Sequence, residues 1–165
     1  MPWSVADLAY LAGFVDGEGH LNIRTNGTDT FLTKTVIGHF NVVGTDKETI
    51  EWITATFNGK ISAYKPQTLH HKIRYTCHWS YQVAVPVLEA ILPYLKTKRL
   101  QAQYYIEFAK NCTSYALEGR KMPFEVRKRA YELVVLCARV SNHKPKYKGV
   151  FDPGGKQLFD PAEND

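Results

Sequence analysis

SVADLAYLAGFVDGEG, residues 4–19, begins as a helix and ends in a turn that carries two acids. Ser4 is a favourable N-cap, and Asp7 three residues later completes a capping box. An apolar stripe at helical spacing predicts the side that packs on the protein's own core, and it consists of Leu8, Leu11 and Val15. The rest of the chain is predicted to be built around this helix.

A second stripe of the same helix contains only small residues. A glycine inside a helix costs about 1 kcal/mol relative to alanine, so Gly13 needs a packing reason. Close approach of another helix backbone would supply that reason. We therefore predict a helix–helix interface along this small-residue stripe, which comprises Ala6, Ala9, Gly13 and Gly17.

The helix stops at Asp16-Gly17-Glu18-Gly19. A carboxylate at a helix C-terminus faces the negative end of the helix dipole, which is unfavourable unless a cation lies nearby. The residues alone therefore leave two interpretations open. One is a cation site at the end of the helix, and the other is an amphipathic core helix with an acidic last turn.

Composition is that of a globular protein with a modest excess of positive charge. The 165 residues suit one domain, and 21 Lys and Arg against 16 Asp and Glu give a net charge of +5. From Ser141 onward Lys, Pro, Gly and Asp dominate. We predict a single domain over residues 1–142 and a partly ordered tail over residues 143–165.

Cysteine spacing and hydropathy bear on the compartment. Cys77, Cys112 and Cys137 lie far apart with no CxxC pair, which favours buried thiols over a zinc site or disulfides. No apolar run approaches the roughly 20 residues of a membrane span, and no signal peptide is recognisable. We expect an intracellular, reducing location, either a prokaryotic cytoplasm or a chloroplast or mitochondrion, and no membrane partner.

Alternating patterns predict four strands, over residues 20–25, 33–43, 60–65 and 72–81. Thr45 and Glu48 resemble a capping box that opens a helix between the second and third strands. Further helices are predicted over residues 83–95, 97–112 and 124–140. The fold class is therefore α+β, in the order αββαββα with C-terminal helices, and one side of an antiparallel sheet packs on helices. The inward positions include Leu21, Ile23, Val36, Phe40, Val42, Ile61, Ala63, Ile73, Tyr75, Cys77, Trp79 and Tyr81.

The opposite side of the sheet, called the polar face here, is rich in hydrogen-bonding side chains and lacks acids. A twisted antiparallel ribbon can enter the DNA major groove, where Arg can contact guanine and Asn can contact adenine. An ordinary solvated face is the alternative. Sheets that bind RNA usually expose several aromatic residues, and only Tyr64 points outward here, so duplex DNA is favoured. The candidate DNA-binding residues are Asn22, Arg24, Asn26, Thr35, Ile37, His39, Asn41, Ser62, Tyr64, Lys72, Arg74, Thr76 and His78.

Two segments resemble signatures of one known family. LAGFVDGEG, residues 11–19, resembles the LAGLIDADG motif of homing endonucleases, and PYLKTKR, residues 93–99, resembles the PYLxxKR segment that follows the fourth strand in that family. The resemblance extends from about Ser4 to Cys112. Because the chain has one copy of the motif, it resembles the single-motif branch.

The resemblance implies a fold, an assembly and an activity. The fold would be the LAGLIDADG αββαββα fold with a saddle-like four-stranded sheet. Single-motif members are homodimers in which the motif helices pack at the two-fold axis. The implied activity is site-specific cleavage of both strands of a long near-palindromic DNA, across the minor groove and with short 3′ overhangs, in intron or intein mobility. Three alternatives stay open: an intron RNA maturase, a non-cleaving DNA-binding regulator, and an unrelated α+β protein with a chance motif.

The resemblance also assigns roles to particular residues. Glu18 would be the metal ligand, with the carbonyl of Gly17 facing the same ion. Asp16 would be a structural acid near the turn, with a role in the site as its second-rank alternative. The ion would be Mg²⁺, and Mn²⁺ or Ca²⁺ could occupy its place. Lys98 resembles the family lysine beside the attacking water and the phosphate. The usual water-positioning polar residue is missing, and Asp46 and Lys47 are the candidates to replace it, although capping of a helix is the preferred role for Asp46.

Overall fold

The computed structural model describes residues 3–26, 35–66, 72–117, 123–141, 150–151 and 157–159. It confirms the α+β class and the predicted order of elements. The elements are α1 (Val5–Glu18), β1 (Gly19–Asn26), β2 (Thr35–Gly44), α2 (Lys47–Thr56), β3 (Lys60–Tyr64), β4 (Arg74–His78), α3 (Tyr81–Ile91), α4 (Arg99–Leu117), α5 (Phe124–Val140), β5 (Val150–Phe151) and β6 (Gln157–Phe159).

Helix α1 begins with the predicted capping box. The backbone N–H of Asp7 donates to the Ser4 hydroxyl at 3.1 Å, and the Ser4 N–H donates to the Asp7 carboxylate at 3.2 Å. Leu11, Ala12 and Val15 are fully buried. The capping box therefore sets where α1 begins, and the apolar stripe sets which side of it packs on the core.

The four long strands form one antiparallel sheet in the order β1-β2-β4-β3. Leu21, Ile23 and Val42 are buried as predicted. Phe40 and Trp79 stack with ring centroids 4.4 Å apart, so both lie on the helix side. The alternation of β1 and β2 therefore identified the two sides of the sheet correctly.

Helices α4 and α5 pack on the inner side of β1 and β2. At Gly38 of β2, a Cβ atom would lie 2.8 Å from the ring of Tyr105 and 2.9 Å from the ring of Phe108. Only glycine fits here without displacing those rings. No helix in the described parts of the chain is long and apolar enough to cross a membrane.

The predicted strand over residues 72–81 was too long. Lys72 precedes β4, and β4 ends at His78 because Ser80 becomes the N-cap of α3. Tyr81 therefore starts α3 instead of ending the strand, and its hydroxyl accepts from the N–H of Gly38 at 2.6 Å. Because α3 begins two residues earlier than predicted, Pro86 lies inside the helix and not in its first turn.

Two hydrophobic residues predicted to point into the core are exposed. Ile61 is 41% exposed and Ile73 is 39% exposed, and every residue of β3, including Ala63, is exposed. Strand β3 is one of the two edge strands, with β4 as its only neighbour in this sheet. In the register, Ile61 pairs with the buried Cys77 and Ala63 pairs with Tyr75, so both lie on the predicted side of the sheet, and only their predicted burial is wrong.

Helix boundaries needed three further corrections. The N-cap of α2 is Asp46, whose carboxylate accepts from the N–H of Thr49 at 3.0 Å, so the capping box of Thr45 and Glu48 is wrong. Helix α3 ends at Ile91 instead of residue 95, and α4 continues to Leu117 instead of residue 112. Helix α5 has the predicted bounds.

The three cysteines are free and buried, as predicted. Burial raises the pKa of the Cys77 and Cys112 thiols to about 11. Of the predicted tail, only Val150–Phe151 and Gln157–Phe159 are described, and these two strands pair antiparallel. The predicted boundary at residues 142 and 143 falls outside the described residues.

Candidate functional site

The Asp16 carboxylate ties the end of α1 to the turn that precedes α4. It accepts the backbone N–H groups of Lys96 at 2.7 Å, Lys98 at 2.9 Å and Thr97 at 3.2 Å, and also the Thr97 hydroxyl at 3.0 Å. We call this set the Asp16 clamp. It confirms that Asp16 is a structural acid, and it fixes the position of the segment that contains Lys98.

The electrostatics of the Asp16 clamp favour the charged carboxylate. Partial burial alone would raise the pKa of Asp16, but the N–H groups of Lys96 and Lys98 and the two donors of Thr97 outweigh it. The net result is a pKa below the usual aspartate value. Hydrogen bonds to a carboxylate stabilise its ionised form, so the clamp is strongest when Asp16 is charged.

Replacement of Asp16 tests the clamp through its pH dependence. We expect Asp16→Asn to lower the free energy of unfolding by about 1–2 kcal/mol near neutral pH. Because the folded-state pKa lies below the unfolded value of about 3.9, the stabilisation is complete above that value. It is lost as the pH falls through the folded-state pKa, so the two proteins should converge in acid.

Urea unfolding of both proteins between neutral and acid pH measures this difference. Glu48→Gln is a matched control, since it removes an exposed carboxylate of α2 and should change the unfolding free energy by only a few tenths of a kcal/mol. A difference between wild type and Asp16→Asn that stays constant down to acid pH would contradict the charged clamp.

Lys98 reaches the end of α1 with its side chain as well as its backbone. Its Nζ donates to the carbonyl oxygen of Asp16 at 2.5 Å, and the side chain is half-buried. An ammonium group at this place faces the negative end of the helix dipole, which is favourable. The structure therefore brings Lys98 to the peptide group two residues before Glu18, while its catalytic role stays a prediction.

Glu18 is the last residue of α1, and its side chain is exposed. The chain enters β1 directly at Gly19, where a Cβ atom would lie only 2.4 Å from the carbonyl oxygen of Val15. Only glycine permits so abrupt a passage from helix to strand. Glu18 therefore stands at the junction between the motif helix and the polar face.

The oxygen ligands that Glu18 and its neighbours could offer to a metal ion suit a hard cation, but they are few. Among the described residues, no three His, Cys, Asp or Glu side chains cluster as a metal site would require. Mg²⁺ keeps several waters and needs only one or two protein carboxylates, so Glu18 and the carbonyl of Gly17 fit this ion. A single protomer supplies one such carboxylate at the end of α1.

Asp46 and Lys47 lie at the start of α2, not at the end of α1 that carries Glu18. Asp46 caps α2, and the hydroxyl and N–H of Thr49 lower the pKa of its carboxyl. Lys47 forms an ion pair of 3.3 Å with Glu51. Asp46 borders an open cleft against the first half of α1, lined also by Ala6 and Tyr10, whereas Glu18 ends that helix. A water-positioning role for either residue remains a prediction.

The register places the predicted residues of the polar face side by side. Asn22 pairs with His39, Asn41 with His78, and Ser62 with Thr76. Ile37, opposite Arg24, is half-buried. Of Asn26 and Thr35 only the pairing of the backbone is described, and Lys72 is exposed just before β4.

Two residues of the polar face were missed. His20 pairs with Asn41, and Lys60 pairs with His78, so both lie on the same side as the predicted residues. Alternation would have identified them, because His20 precedes Asn22 by two positions and Lys60 precedes Ser62 by two. With them, the four long strands carry several basic side chains and no Asp or Glu.

Two contacts hold arginines on the polar face. Arg24 donates its Nε–H to Nε2 of His39 at 3.2 Å, and the guanidinium of Arg74 lies 5.3 Å from the centre of the Tyr64 ring. Partial burial lowers the pKa of His39, and the charges of Arg24 and His20 lower it further. A neutral imidazole at this place is the form that can accept from Arg24.

The small-residue stripe of α1 is exposed in the protomer. A Cβ atom added at Gly13 or at Gly17 would meet no atom within 4 Å, and Ala6 and Ala9 are exposed too. Contacts within the described protomer therefore give no packing reason for Gly13. The predicted interface with another helix remains a prediction that this geometry permits.

Comparison with known proteins finds similarity in structure. No family model matches the chain, and no curated protein matches it in sequence. Three solved structures illustrate the similarity. The homing endonuclease I-CvuI, in complex with the I-CreI target, is 20% identical with a TM-score of 0.59, and the match covers 90% of each chain. The archaeal intron-encoded homing endonuclease I-Vdi141I, complexed with DNA, is 15% identical with a TM-score of 0.61, and 96% of this chain and 91% of that chain are covered.

The third is the LAGLIDADG homing endonuclease I-GzeII in complex with a DNA target. It is 19% identical with a TM-score of 0.57, and the match covers 79% of this chain but only 43% of the I-GzeII chain. At these identities the similarity concerns the fold. In each case the similarity extends over at least 79% of this chain, which includes most of its described helices and strands. The chain therefore has the LAGLIDADG homing endonuclease fold.

Proposed function

We propose that the protein is a site-specific double-strand DNA endonuclease, namely a homing endonuclease of the single-motif, homodimeric branch. It hydrolyses both strands of a long near-palindromic target across the minor groove, leaves short 3′ overhangs, and serves the mobility of an intron or intein. The observation that carries this proposal is the Asp16 clamp, which joins Lys98 to the helix end that carries Glu18, directly before the polar face.

The polar face supports binding of duplex DNA. Arg24, Lys60 and Arg74 lie on strands that contain no acid, so a phosphate-rich partner meets no opposing carboxylate there. Phe40 is buried and Tyr64 is the exposed aromatic residue of the predicted set, which leaves little surface for stacking unpaired bases. The structures of I-CvuI, I-Vdi141I and I-GzeII are complexes with DNA, in agreement with this choice.

A homodimer would complete the site. The chain is matched along nearly all of I-CvuI but along less than half of I-GzeII, which fits one repeat of the fold per chain. One protomer offers a single Glu18, and the exposed small-residue stripe leaves room for a second α1 to approach. A two-fold axis at this stripe would place two copies of Glu18 near each other and would match a near-palindromic target.

Different residues of the chain have different roles in the proposed hydrolysis. Glu18 and the carbonyl of Gly17 would hold Mg²⁺, which when bound neutralises phosphate charge and favours ionisation of a water; Mn²⁺ or Ca²⁺ could bind the same groups. Lys98 would stabilise the negative charge that develops on the phosphate. The Asp16 clamp would hold the Lys98 segment in place, and the polar face would fix the register of the DNA.

Incubation with a library of long duplexes tests the proposal. With Mg²⁺ we expect double-strand breaks at one near-palindromic sequence, and with EDTA we expect binding without breaks. Tight duplex binding without cleavage under any divalent cation would indicate a non-cleaving regulator instead. Preferential binding of structured intron RNA over every duplex would indicate a maturase.

A further inference from the structure

The contact between Arg24 and His39 is the feature of the polar face with the most defined geometry. In the register of β1 and β2, Asn22 opposes His39 and Ile37 opposes Arg24, so Arg24 and His39 are diagonal neighbours. Diagonal positions on one side of an antiparallel pair lie within reach of long side chains. The 3.2 Å distance from Nε of Arg24 to Nε2 of His39 is a hydrogen bond between these two side chains.

This hydrogen bond restricts both partners. Since Nε2 of His39 accepts, the imidazole is neutral and carries its proton on Nδ1. The guanidinium of Arg24 uses its Nε–H for His39, so the N–H groups of its two Nη atoms form the edge that remains. No carboxylate of the four long strands can compete for that edge.

Two parallel N–H groups match the O6 and N7 acceptors of guanine in the major groove. We propose that His39 is a positioning residue for base recognition: it holds Arg24 so that the two Nη groups contact one guanine. His39 then acts through Arg24, instead of contacting a base itself as its place on the polar face had suggested. This inference depends on the proposed function, and in a homodimer the same guanine would occur once in each half of the target.

The surroundings of His39 make the arrangement sensitive to acid. Arg24 and His20 on β1 place positive charge near it, and His78 lies on the adjoining strand β4 opposite Asn41. A protonated imidazole cannot accept from Arg24 and repels its guanidinium. Because burial and these charges lower the pKa of His39 below the usual histidine value, we expect the guanine preference to persist at pH 6.5 and to weaken only in more acidic solution. A glutamine at position 39 can still accept but does not titrate.

The experiment selects bound or cleaved duplexes from a library in which both halves of the target are randomised. Wild type should prefer guanine at one pair of symmetric positions, and Arg24→Gln should remove that preference. His39→Ala should weaken it roughly tenfold, while His39→Gln restores most of it and abolishes its dependence on pH. Val43→Thr is the matched control, because it alters a half-buried position on the same side of β2 that is not a candidate DNA-binding residue, and it should leave this guanine preference unchanged.

The outcomes separate the inference from the proposed function. If wild type selects no duplex, both are wrong. If wild type selects a duplex and His39→Ala keeps its guanine preference, only the inference is wrong. Nitrogen-15 NMR of the imidazoles in free wild-type protein provides an independent check, since Nε2 of His39 should be unprotonated and should shift in Arg24→Gln. An Nε2-protonated His39 at neutral pH would also overturn the inference.

Discussion

We expect Glu18→Gln to reduce DNA cleavage by at least about a thousandfold while duplex binding changes by only a few fold. Glutamine has nearly the same shape but lacks the charge that a hard cation requires. The side chain is exposed at the end of α1, so its replacement removes no buried contact and should leave the fold intact. The loss should therefore appear in the chemical step and not in assembly or binding.

Single-turnover cleavage with Mg²⁺ and duplex binding without it measure the two effects separately. Glu125→Gln, which neutralises an exposed carboxylate in the first turn of α5, is the matched control and should cleave like wild type. If Glu18→Gln cleaves within a few fold of wild type, Glu18 is not the metal ligand. If both variants are equally inactive, the loss reflects charge or stability instead of a specific site.

We expect Gly13→Leu to convert the proposed homodimer to a folded monomer and to abolish double-strand cleavage with it. A side chain at Gly13 meets no atom of its own protomer within 4 Å, so the protomer should tolerate leucine. At a close helix–helix approach, however, a leucine would force the two backbones apart. Separation of the two α1 helices would also separate the two copies of Glu18.

Sedimentation measures the oligomeric state, and circular dichroism verifies that the variant is folded. Gly13→Ala should give a graded result: the protomer gains up to about 1 kcal/mol of helix stability, but the dimer dissociates more readily. Gln103→Leu, which places leucine at an exposed position of α4, is the control and should remain dimeric. A Gly13→Leu protein that remains a fully active dimer would show that α1 does not lie at the axis.

Local signals in the sequence were sufficient for most of the fold. The capping box of Ser4 and Asp7 fixed the start of α1, and strict alternation in β1 separated Leu21 and Ile23 from the polar face. These features depend only on neighbouring residues. The errors arose where burial depends on distant elements: Ile61 lies on the predicted side of the sheet, but its place on an edge strand leaves it 41% exposed.

The site was less accessible to local reasoning. Asp16 and Lys98 are separated by 82 positions, and no spacing rule predicts that a carboxylate will accept the N–H of a residue so distant. Only the resemblance of residues 11–19 and 93–99 to one family predicted that these two segments belong to the same site. The hydrogen bond from Arg24 to His39 could not be predicted from the sequence either, because it depends on the register between β1 and β2 and on side-chain conformations.

The direct passage from α1 to β1 at Gly19 has a consequence for redesign of the protein. No loop intervenes between the helix end and the first strand. In the proposed function, this direct connection would set a fixed distance between the scissile bond and the contacted bases. One inserted residue would turn the strand's side chains to the wrong side, and two would shift them along the DNA by roughly two base-pair steps. Altered base preference should therefore be sought by substitution within the strands, which leaves the position of the cut unchanged.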